Sequence, residues 1–378
     1  MSPTMGPSPH EDRPDVQIAL IGATSGGSSL SALHAMQGAR LALDLANEEG
    51  GLPVDVLAVA SDTEEDSTRV DEIVDELSGD PRYVAAVIWP STEEAAELGD
   101  RLSTAGIPFI DLSPAVPGLG RRGWDGWRRL VGTDAAQAEA AARYIKLELH
   151  ARHVCVVTDT EPRGAALRRM VSRDLRALGV AVVLQAGVQP QLSDYASLVA
   201  RVEGSECDAL FWGGGGTEAG VVRTQMVEAG LGDVSLVGTD MVRTEAFLES
   251  AGPAGEGSVA SCPCMDVTSR TDLAVQRFIQ EYQARYGSAP TSFAVEGWDA
   301  AQHIIASISG GDADRASILE SLKESPPRFI FGLGRPYAFK ANGELARPVV
   351  SLFEDKRGDW LLLTDPVFGY EFASDAKR

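Results

Sequence analysis

The loop from Gly22 to Ser28 is the part of this chain whose residue types and spacing come nearest to a cofactor-binding motif. It follows the apolar strand Ile18 to Ile21, and its glycines permit a sharp turn before a helix, as in dinucleotide-binding sites. The third glycine of the short-chain dehydrogenase pattern is replaced by Ser28, and Tyr144 and Lys146 lack the tyrosine-to-lysine spacing of those enzymes. No nucleophile elbow, HExxH motif or phosphate loop is present in the sequence. The sequence therefore predicts a protein that is not an enzyme and has no cofactor, with an NAD(P)-dependent oxidoreductase as a remote alternative.

Neither the histidines nor the cysteines have the spacing of a metal site. The four cysteines form no CxxC pair, and the two that are closest in sequence have one residue between them and no histidine nearby. The other two lie in or beside apolar runs, so ordinary buried thiols are favoured over a disulfide. No metal is expected. The residues concerned are His10, His34, His150, His153, His303, Cys155, Cys207, Cys262 and Cys264.

The composition argues against several classes of partner. With 55 acidic and 33 basic residues the formal net charge is -22, which repels nucleic-acid phosphates and anionic lipid surfaces. No apolar run approaches the ~20 residues that a membrane-spanning helix needs, so the chain is not expected to span a membrane. Residues 1–14 are rich in Pro, Ser and charge without an apolar signal region, and they are predicted to be disordered. Either an export signal has been removed or the protein works in the cytoplasm.

Strands and helices alternate along the chain in two series, which is typical of parallel α/β sheets. The first series opens with Ile18 to Ile21 and an amphipathic helix closed by Gly50 and Gly51, and a length of 378 residues suits two lobes. The predicted fold class is therefore α/β with two doubly wound parallel-sheet lobes. Further strands are predicted at Val54–Ala60, Val84–Ile88, Ile107–Ile110, Trp127–Val131, Val154–Thr158, Ala181–Gln185, Asp208–Trp212, Ser235–Gly238, Pro348–Glu354 and Trp360–Thr364. Helices are predicted at Ser67–Leu77, Thr92–Ala105, Asp134–His150 with Asp134 as its cap, Gly164–Leu178, Asp194–Glu203, Thr217–Ala229, Asp272–Tyr286, Phe293–Ser309 and Ala313–Glu324.

Several short motifs follow one another in a characteristic order. They are G-A-x-S-G at Gly22–Gly26, G-A-x-x-A at Gly38–Ala42, N-x-x-G-G at Asn47–Gly51, A-G-I-P at Ala105–Pro108, R-G-W at Arg122–Trp124, G-G-x-x-x-E-x-G at Gly213–Gly220, A-G-L at Ala229–Leu231 and N-G-E-L at Asn342–Leu345. Their order and spacing, more than any single motif, make the chain from Val16 to about Trp360 similar to a known family. It resembles the branched-chain amino acid and amide branch of the type I periplasmic solute-binding proteins of ABC transporters.

This resemblance implies the type I periplasmic-binding-protein fold, in which two lobes joined by three hinge crossovers close on a small ligand. It places the crossovers near Gly132, near Cys262 to Met265 and near Gly334 to Phe339. Lobe 1 is then expected to comprise residues 15–132 and 265–334, and lobe 2 residues 133–264 and 335–372.

The resemblance also implies where an amino-acid ligand would bind. The family binds the ligand's carboxylate with hydroxyls and amides at a helix N-terminus, and here the matching residues are Ser91 and Thr92. It binds the ammonium with an acidic side chain, and here the matching residue is Asp240 at the end of a lobe-2 strand. Each of these residues has an alternative role as a helix cap. Glu93, in the first turn of the predicted helix, would repel a carboxylate.

The aromatic walls of the family's pocket are replaced in this sequence. The positions matching its pocket tyrosines are Ser31, Arg163 and Gly215, and its second carboxylate-binding hydroxyl falls on Ala115 unless a local shift brings Ser113 into place. A leucine site is therefore not expected.

An arginine and two tryptophans could change which ligand the pocket binds. Arg163 could bind a second carboxylate bidentately, or it could be an exposed arginine paired with Glu161. Trp89 and Trp212 could restore some of the lost apolar surface, although Trp212 is better explained as a core residue.

The resemblance implies an extracytoplasmic receptor of an ABC uptake system that closes on a small amino acid, amide or related polar metabolite. Its expected partners are that small molecule and, if the protein is exported, an ABC permease, and no nucleic acid is expected. The alternative is a cytoplasmic ligand-sensing regulatory protein of the same fold, which would explain the lack of a signal sequence.

Overall fold

The computed structural model describes residues 13–25, 29–64, 66–114, 116–191, 193–267, 270–311, 313–324, 329–330 and 336–364. The segment predicted to be disordered, residues 1–14, lies outside the described residues except for its last two. Ser28, Ala115 and the first two residues of the expected third crossover, 334 and 335, also lie outside them.

The described residues form strands and helices in strict alternation over most of the chain. The strands are β1 Asp15–Gly22, β2 Asp55–Asp62, β3 Tyr83–Trp89, β4 Phe109–Asp111, β5 Trp127–Arg129, β6 His153–Asp159, β7 Ala181–Val188, β8 Ala209–Gly213, β9 Ser235–Gly238, β10 Val259–Cys262, β11 Phe329–Ile330, β12 Pro336–Tyr337, β13 Ser351–Lys356 and β14 Asp359–Thr364. The α-helices are α1 Ser29–Glu49, α2 Ser67–Gly79, α3 Ala95–Thr104, α4 Asp134–Leu147, α5 Pro162–Ala177, α6 Ala196–Glu203, α7 Gly216–Glu228, α8 Glu245–Ala251, α9 Leu273–Tyr286, α10 Ala294–Gly310 and α11 Arg315–Glu324.

The chain divides into two compact units. The described residues within 13–113, 118–130 and 267–346 form the first unit, and those within 114–117, 131–266 and 347–364 form the second. Apart from the short stretch 114–117, the chain passes from one unit to the other after Leu130, after Asp266 and after Ala346. Residues 336–346, which include part of the expected third crossover, group with the first unit.

The first unit contains a parallel sheet of five strands in the order β2-β1-β3-β4-β5. Its central strand β3, with the sequence YVAAVIW, is buried at every position. A continuous apolar run of this kind is expected of a parallel strand that is covered on both faces. A second, two-stranded sheet pairs β11 with β12.

The helices that cover the first unit's sheet pack unusually closely at two glycines. A Cβ atom added at Gly38 in α1 would lie 1.8 Å from the carbonyl oxygen of Ala294 in α10, and one added at Gly297 in α10 would lie 1.8 Å from the carbonyl oxygen of Ala35. Glycine at both positions lets the two helix backbones touch. Gly38 opens the G-A-x-x-A motif, so that part of the sequence pattern corresponds to a packing requirement.

The second unit contains a mixed sheet of seven strands in the order β14-β13-β10-β9-β8-β6-β7. Strands β6 to β10 pair in parallel, whereas β13 and β14 form an antiparallel hairpin that joins the sheet alongside β10. The hairpin confirms the strand character predicted for the end of the chain. Trp212 in β8 is 1% exposed within the second unit's core, as expected.

Both pairs of cysteines form disulfides, and the expectation of free thiols is wrong. Cys155 in β6 is bonded to Cys207, which precedes β8, and Cys262 is bonded to Cys264. β6 and β8 are neighbouring strands, so pairing in the sheet brings together two cysteines that are separated by 52 residues in sequence. Within the described parts of the chain, none of the helices has the length and apolar character that crossing a bilayer requires.

Candidate functional site

In the first unit, the residues predicted for the ligand's carboxylate lie at the carboxyl edge of the sheet. Strand β1 has β2 on one side and β3 on the other, so the order of the strands reverses between β1 and β3. Open α/β sheets bind their ligands at this switch point, beyond the carboxyl ends of the strands. Thr63 directly follows β2, and Ser91 and Thr92 follow β3.

Ser91 forms a capping box with Glu94 at the start of α3. The Ser91 amide donates to Glu94 Oε2 at 3.0 Å, and the Glu94 amide donates to Ser91 Oγ at 3.3 Å. The Thr63 hydroxyl also donates to Glu94 Oε2, at 3.1 Å, and Glu94 is only 2% exposed. The Ser91 amide is therefore already hydrogen-bonded to a carboxylate of the chain itself, that of Glu94. The helix begins at Ala95, three residues later than predicted.

The acidic residue that matters at this helix start is Glu94, whereas Glu93, which the sequence suggested would repel a carboxylate, is exposed. Thr92 is half-buried, and neither its amide nor its hydroxyl bonds to any described residue. Of the two residues predicted here, Thr92 has polar groups that the described residues leave unused.

Ser113 is buried, and its polar groups are already bonded. Its amide and its hydroxyl donate to Asp111 Oδ1 at 2.8 and 2.7 Å, and its carbonyl accepts from Arg129 Nη1 at 3.1 Å. Burial raises the pKa of the Asp111 carboxyl, while Arg129 and the Ser113 hydrogen bonds act in the opposite direction. A ligand carboxylate would have to break the Ser113 to Asp111 bond in order to accept a hydrogen bond from this hydroxyl.

The remaining two predicted residues of the first unit differ in their surroundings. Trp89 ends β3, is 6% exposed and packs edge-to-face on Phe293, with ring centroids 4.6 Å apart. Most of its surface is therefore used within the first unit's core. Ser31 is half-buried in the first turn of α1, close to the carboxyl end of β1.

In the second unit, Arg163 and Asp240 belong to one hydrogen-bonded cluster, which also contains Asp134 and Gln137. Arg163 donates from Nε and Nη2 to the two carboxylate oxygens of Asp134, at 2.9 and 2.8 Å, and from Nη2 to Asp240 Oδ1 at 2.9 Å. Gln137 Nε2 donates to Asp240 Oδ1 at 2.7 Å, and the Asp240 amide donates to Gln137 Oε1 at 3.0 Å. The cluster connects α5, α4 and the residues that follow β9.

The position of Arg163 corrects its predicted pairing with Glu161. It is paired with Asp134 and Asp240 rather than with Glu161, and its bidentate contact through Nε and Nη2 is made to Asp134. Burial by itself would lower the pKa of the guanidinium, but the carboxylates of Asp134 and Asp240 outweigh burial and raise it above its ordinary value. Two carboxylates and one guanidinium leave the cluster with a formal charge of about -1. This charge favours a cationic group in a ligand.

Gly215 lies close to Glu218 at the carboxyl edge of the second unit's sheet. It directly precedes α7, and a Cβ atom added to it would lie 2.4 Å from Glu218 Oε2. Asp159, at the end of the neighbouring strand β6, is 6% exposed. Burial, assisted by the charges of Glu161 and Glu218, raises its pKa to about 6, although Arg163 and the Glu161 amide oppose the shift. The carboxyl edge of the second unit is therefore strongly acidic.

Sequence reasoning missed Glu94, Asp159 and the roles of Asp134 and Gln137. The Ser91-x-x-Glu94 spacing is a capping-box signal that could have identified Glu94. Asp134 was predicted as the cap of α4, but Thr133 occupies that position, and Asp134 lies in the first turn with its carboxylate on Arg163. No local sequence pattern predicts the contact between Asp134 and Arg163. Across the described residues, no group of three or more His, Cys, Asp and Glu side chains has the geometry of a metal site.

The fold and these two clusters define a two-unit α/β protein with polar groups at the carboxyl edges of both sheets, as in solute-binding proteins. A family model described as "Periplasmic binding protein" matches residues 15–354. The chain belongs to this family, and the resemblance to its branched-chain amino acid branch is confirmed. Proteins of this kind bind substrates for transport systems and are not enzymes, so nothing supports the oxidoreductase alternative.

Two related proteins align with most of the chain. The Leu/Ile/Val-binding protein of Citrobacter freundii is 26% identical over 335 residues, which is 88% of each chain. The Leu/Ile/Val/Thr-binding protein of Salmonella typhimurium is 28% identical over 251 residues, which is 66% of this chain and 68% of the relative.

Solved structures share the fold at lower identity. The branched-chain amino acid transporter substrate binding protein LivJ from Streptococcus pneumoniae, in complex with isoleucine, has a TM-score of 0.80 at 20% identity and covers 92% of this chain and 97% of its own. A solute binding protein from R. palustris in complex with benzoate has a TM-score of 0.77 at 19% identity, with 95% and 100% coverage.

Proposed function

We propose that this protein is the extracytoplasmic receptor of an ABC uptake system and that its two units close on a small amino acid, amide or related polar metabolite. The single observation that supports this ligand class is the hydrogen bonding of the Asp240 carboxylate. Its Oδ1 accepts hydrogen bonds from Gln137 and Arg163, whereas its Oδ2 accepts none from the described residues. Arg163 likewise donates no hydrogen bond from Nη1 to the described part of the chain. The cluster therefore offers one acceptor and one donor that the described residues do not use.

This pair of groups suits two kinds of ligand. The ammonium of an amino acid would donate to Asp240 Oδ2 and its carboxylate would accept from Arg163 Nη1, or an amide would use its N–H and C=O groups in the same way. The negative charge of the cluster favours the ammonium. We assign Thr92 and Ser31 as contacts from the first unit, with a smaller role for Ser91, Ser113 and Trp89. The serine and glycine at positions 31 and 215 indicate a ligand other than leucine.

The two disulfides support the extracytoplasmic location. Disulfides persist in oxidising compartments and are rare in the cytoplasm. Together with membership of a periplasmic family, they make the cytoplasmic sensor the weaker interpretation.

A thermal-shift panel of amino acids, amides and dicarboxylates tests the proposal, because a ligand at ~100 times its dissociation constant adds about 2.7 kcal/mol to the stability of the folded state. For an amino acid found in this way, Asp240→Asn should weaken binding by about 30-fold or more, since removing one partner of a desolvated ion pair costs about 2–5 kcal/mol. Asp233→Asn, on the exposed turn before β9, is the matched control.

An unchanged affinity in the Asp240→Asn protein, measured by isothermal titration calorimetry, would show that the pocket is assigned wrongly. If no compound in the panel raised the melting temperature, the proposed ligand class would be wrong.

A further inference from the structure

The first unit contains a cavity of about 400 Å³. None of the predicted site residues lines it. It lies between one face of α1 and the sheet at β1 and β2, with Tyr286 of α9 at its side. Leu20 and Ala60, which are partners in the parallel pairing of β1 and β2, form part of its floor. Ala60 is exposed and belongs to the edge strand of the sheet, so the cavity is open to solvent on this side.

One wall of the cavity presents hydrogen-bond donors that the described residues do not use. Gln37 and Arg40 lie on the same face of α1, three residues apart. Gln37 Oε1 accepts from Tyr282, but Gln37 Nε2 has no partner among the described residues. Arg40 makes no hydrogen bond or ion pair with that part of the chain either. Its charge still acts on Asp44, one turn further along α1 and 4.0 Å from Arg285, and on Tyr286.

The carboxyl end of β2 adds a carboxylate of fixed orientation. Asp62 Oδ1 accepts from the amides of Thr24 and Glu64 at 3.1 and 2.9 Å. Burial tends to raise the pKa of this carboxyl, but hydrogen bonds from Glu64, Ser25 and Thr24 outweigh burial and lower it. The group is therefore ionised at neutral pH and can accept further hydrogen bonds, because a carboxylate has about four acceptor sites.

The cavity thus has an apolar floor, a cationic wall and an anionic end. Leu20 and Met36 are 1% and 6% exposed beneath it, and Leu33 at its rim is 39% exposed. Its volume lies within the ~300–1,000 Å³ of small-molecule sites, although it is at the lower end of that range. A ligand must therefore be small, carry both charges and have a short aliphatic part.

We propose that this cavity is a second ligand site, which binds a short aliphatic amino acid with its carboxylate on Arg40 and Gln37, its ammonium toward Asp62 and its side chain on Leu20 and Met36. The site is independent of the Asp240 cluster, which belongs to the other unit. The second site can therefore be confirmed or refuted independently of the proposed function.

L-leucine is the probe, and the test uses the full chain, isotopically labelled, carrying Asp240→Asn. Millimolar L-leucine should shift the side-chain amide NMR signals of Gln37 in a saturable manner. Arg40→Gln, added to this background, should weaken the dissociation constant at least about tenfold, because a charge-assisted pair is lost. Arg277→Gln on α9, whose arginine is exposed and paired with Glu49, is the control and should leave binding unchanged.

A second variant and two analogues make the test independent of any folding defect. Ala60→Leu fills the cavity floor and should abolish the Gln37 shifts, while 4-methylpentanoate and 3-methylbutylamine, each lacking one charged group, should bind at least about tenfold more weakly than L-leucine. The proposal is overturned if L-leucine leaves the Gln37 signals unmoved, if Arg40→Gln binds as the control does, or if either analogue binds as tightly. Loss of all leucine binding in the Asp240→Asn protein would also overturn it, and would leave the Asp240 site standing.

Discussion

Replacing Arg163 with methionine removes the cation that lies between two carboxylates in the second unit. The guanidinium donates to Asp134 at 2.9 and 2.8 Å and to Asp240 at 2.9 Å. The Asp134 side chain is 0% exposed, so water cannot replace its lost hydrogen bonds, and the Asp240 side chain, at 8% exposed, can recover only part of them. Breaking a buried ion pair by removing one partner costs about 3–5 kcal/mol. For a domain of this size the melting temperature should fall by about 6–20 °C.

A second arginine on the same helix provides the comparison. Arg168 donates to Thr158 Oγ1 at 3.1 Å and to the Ala186 carbonyl at 3.3 Å, which are neutral acceptors. Arg168→Met should therefore cost only about 1–2 kcal/mol. Urea unfolding followed by circular dichroism, with calorimetry for the melting temperature, measures both variants.

The double variant Arg163→Met, Asp240→Asn tests the cause of the loss. It should be more stable than Arg163→Met alone, because one of the two unpaired charges has been removed. If Arg163→Met cost no more than Arg168→Met, or if the two substitutions of the double variant were simply additive, the buried cluster would not be the reason for the stability of this region.

Three other outcomes follow from the packing and chemistry of the fold. The pKa of Asp159 is raised to about 6, so its contribution to stability is fully present below about pH 4 and is lost as pH rises through 6. The Asp159→Asn variant should therefore have a higher melting temperature than the natural protein at pH 8 and about the same melting temperature at pH 4. Gly297→Ala should destabilise the first unit by more than about 2 kcal/mol in urea titrations, since its Cβ would lie 1.8 Å from the Ala35 carbonyl oxygen, and an unchanged midpoint would contradict the helix contact. Replacing Cys155 and Cys207 with alanine should cost up to about 4 kcal/mol, as expected for a cross-link that closes a loop of 52 residues, and a melting temperature equal to that of the natural protein would show that the bond does not form.

The sequence by itself determined the fold class and most of the element positions. Continuous apolar runs such as Tyr83 to Trp89 and the 3.6-residue periodicity of α1 are local properties, so they could be read without knowing what each element packs against. The same holds for the alternation of strands and helices and for the hairpin near the end of the chain. The family could be inferred because its motifs keep their order along the chain.

The chemistry of the candidate site was decided by contacts between residues far apart in sequence. Arg163 meets Asp134 and Asp240, which are 29 and 77 residues away, and Glu94 meets Thr63, which is 31 residues away. From sequence, each of these side chains had several plausible partners.

Only the tertiary structure could show which partner each side chain takes. A buried charge must be neutralised or hydrogen-bonded by whatever the neighbouring strands bring beside it, and strand order is a property of the whole sheet. The same reason explains the disulfide between Cys155 and Cys207, which depends on β6 and β8 being neighbours.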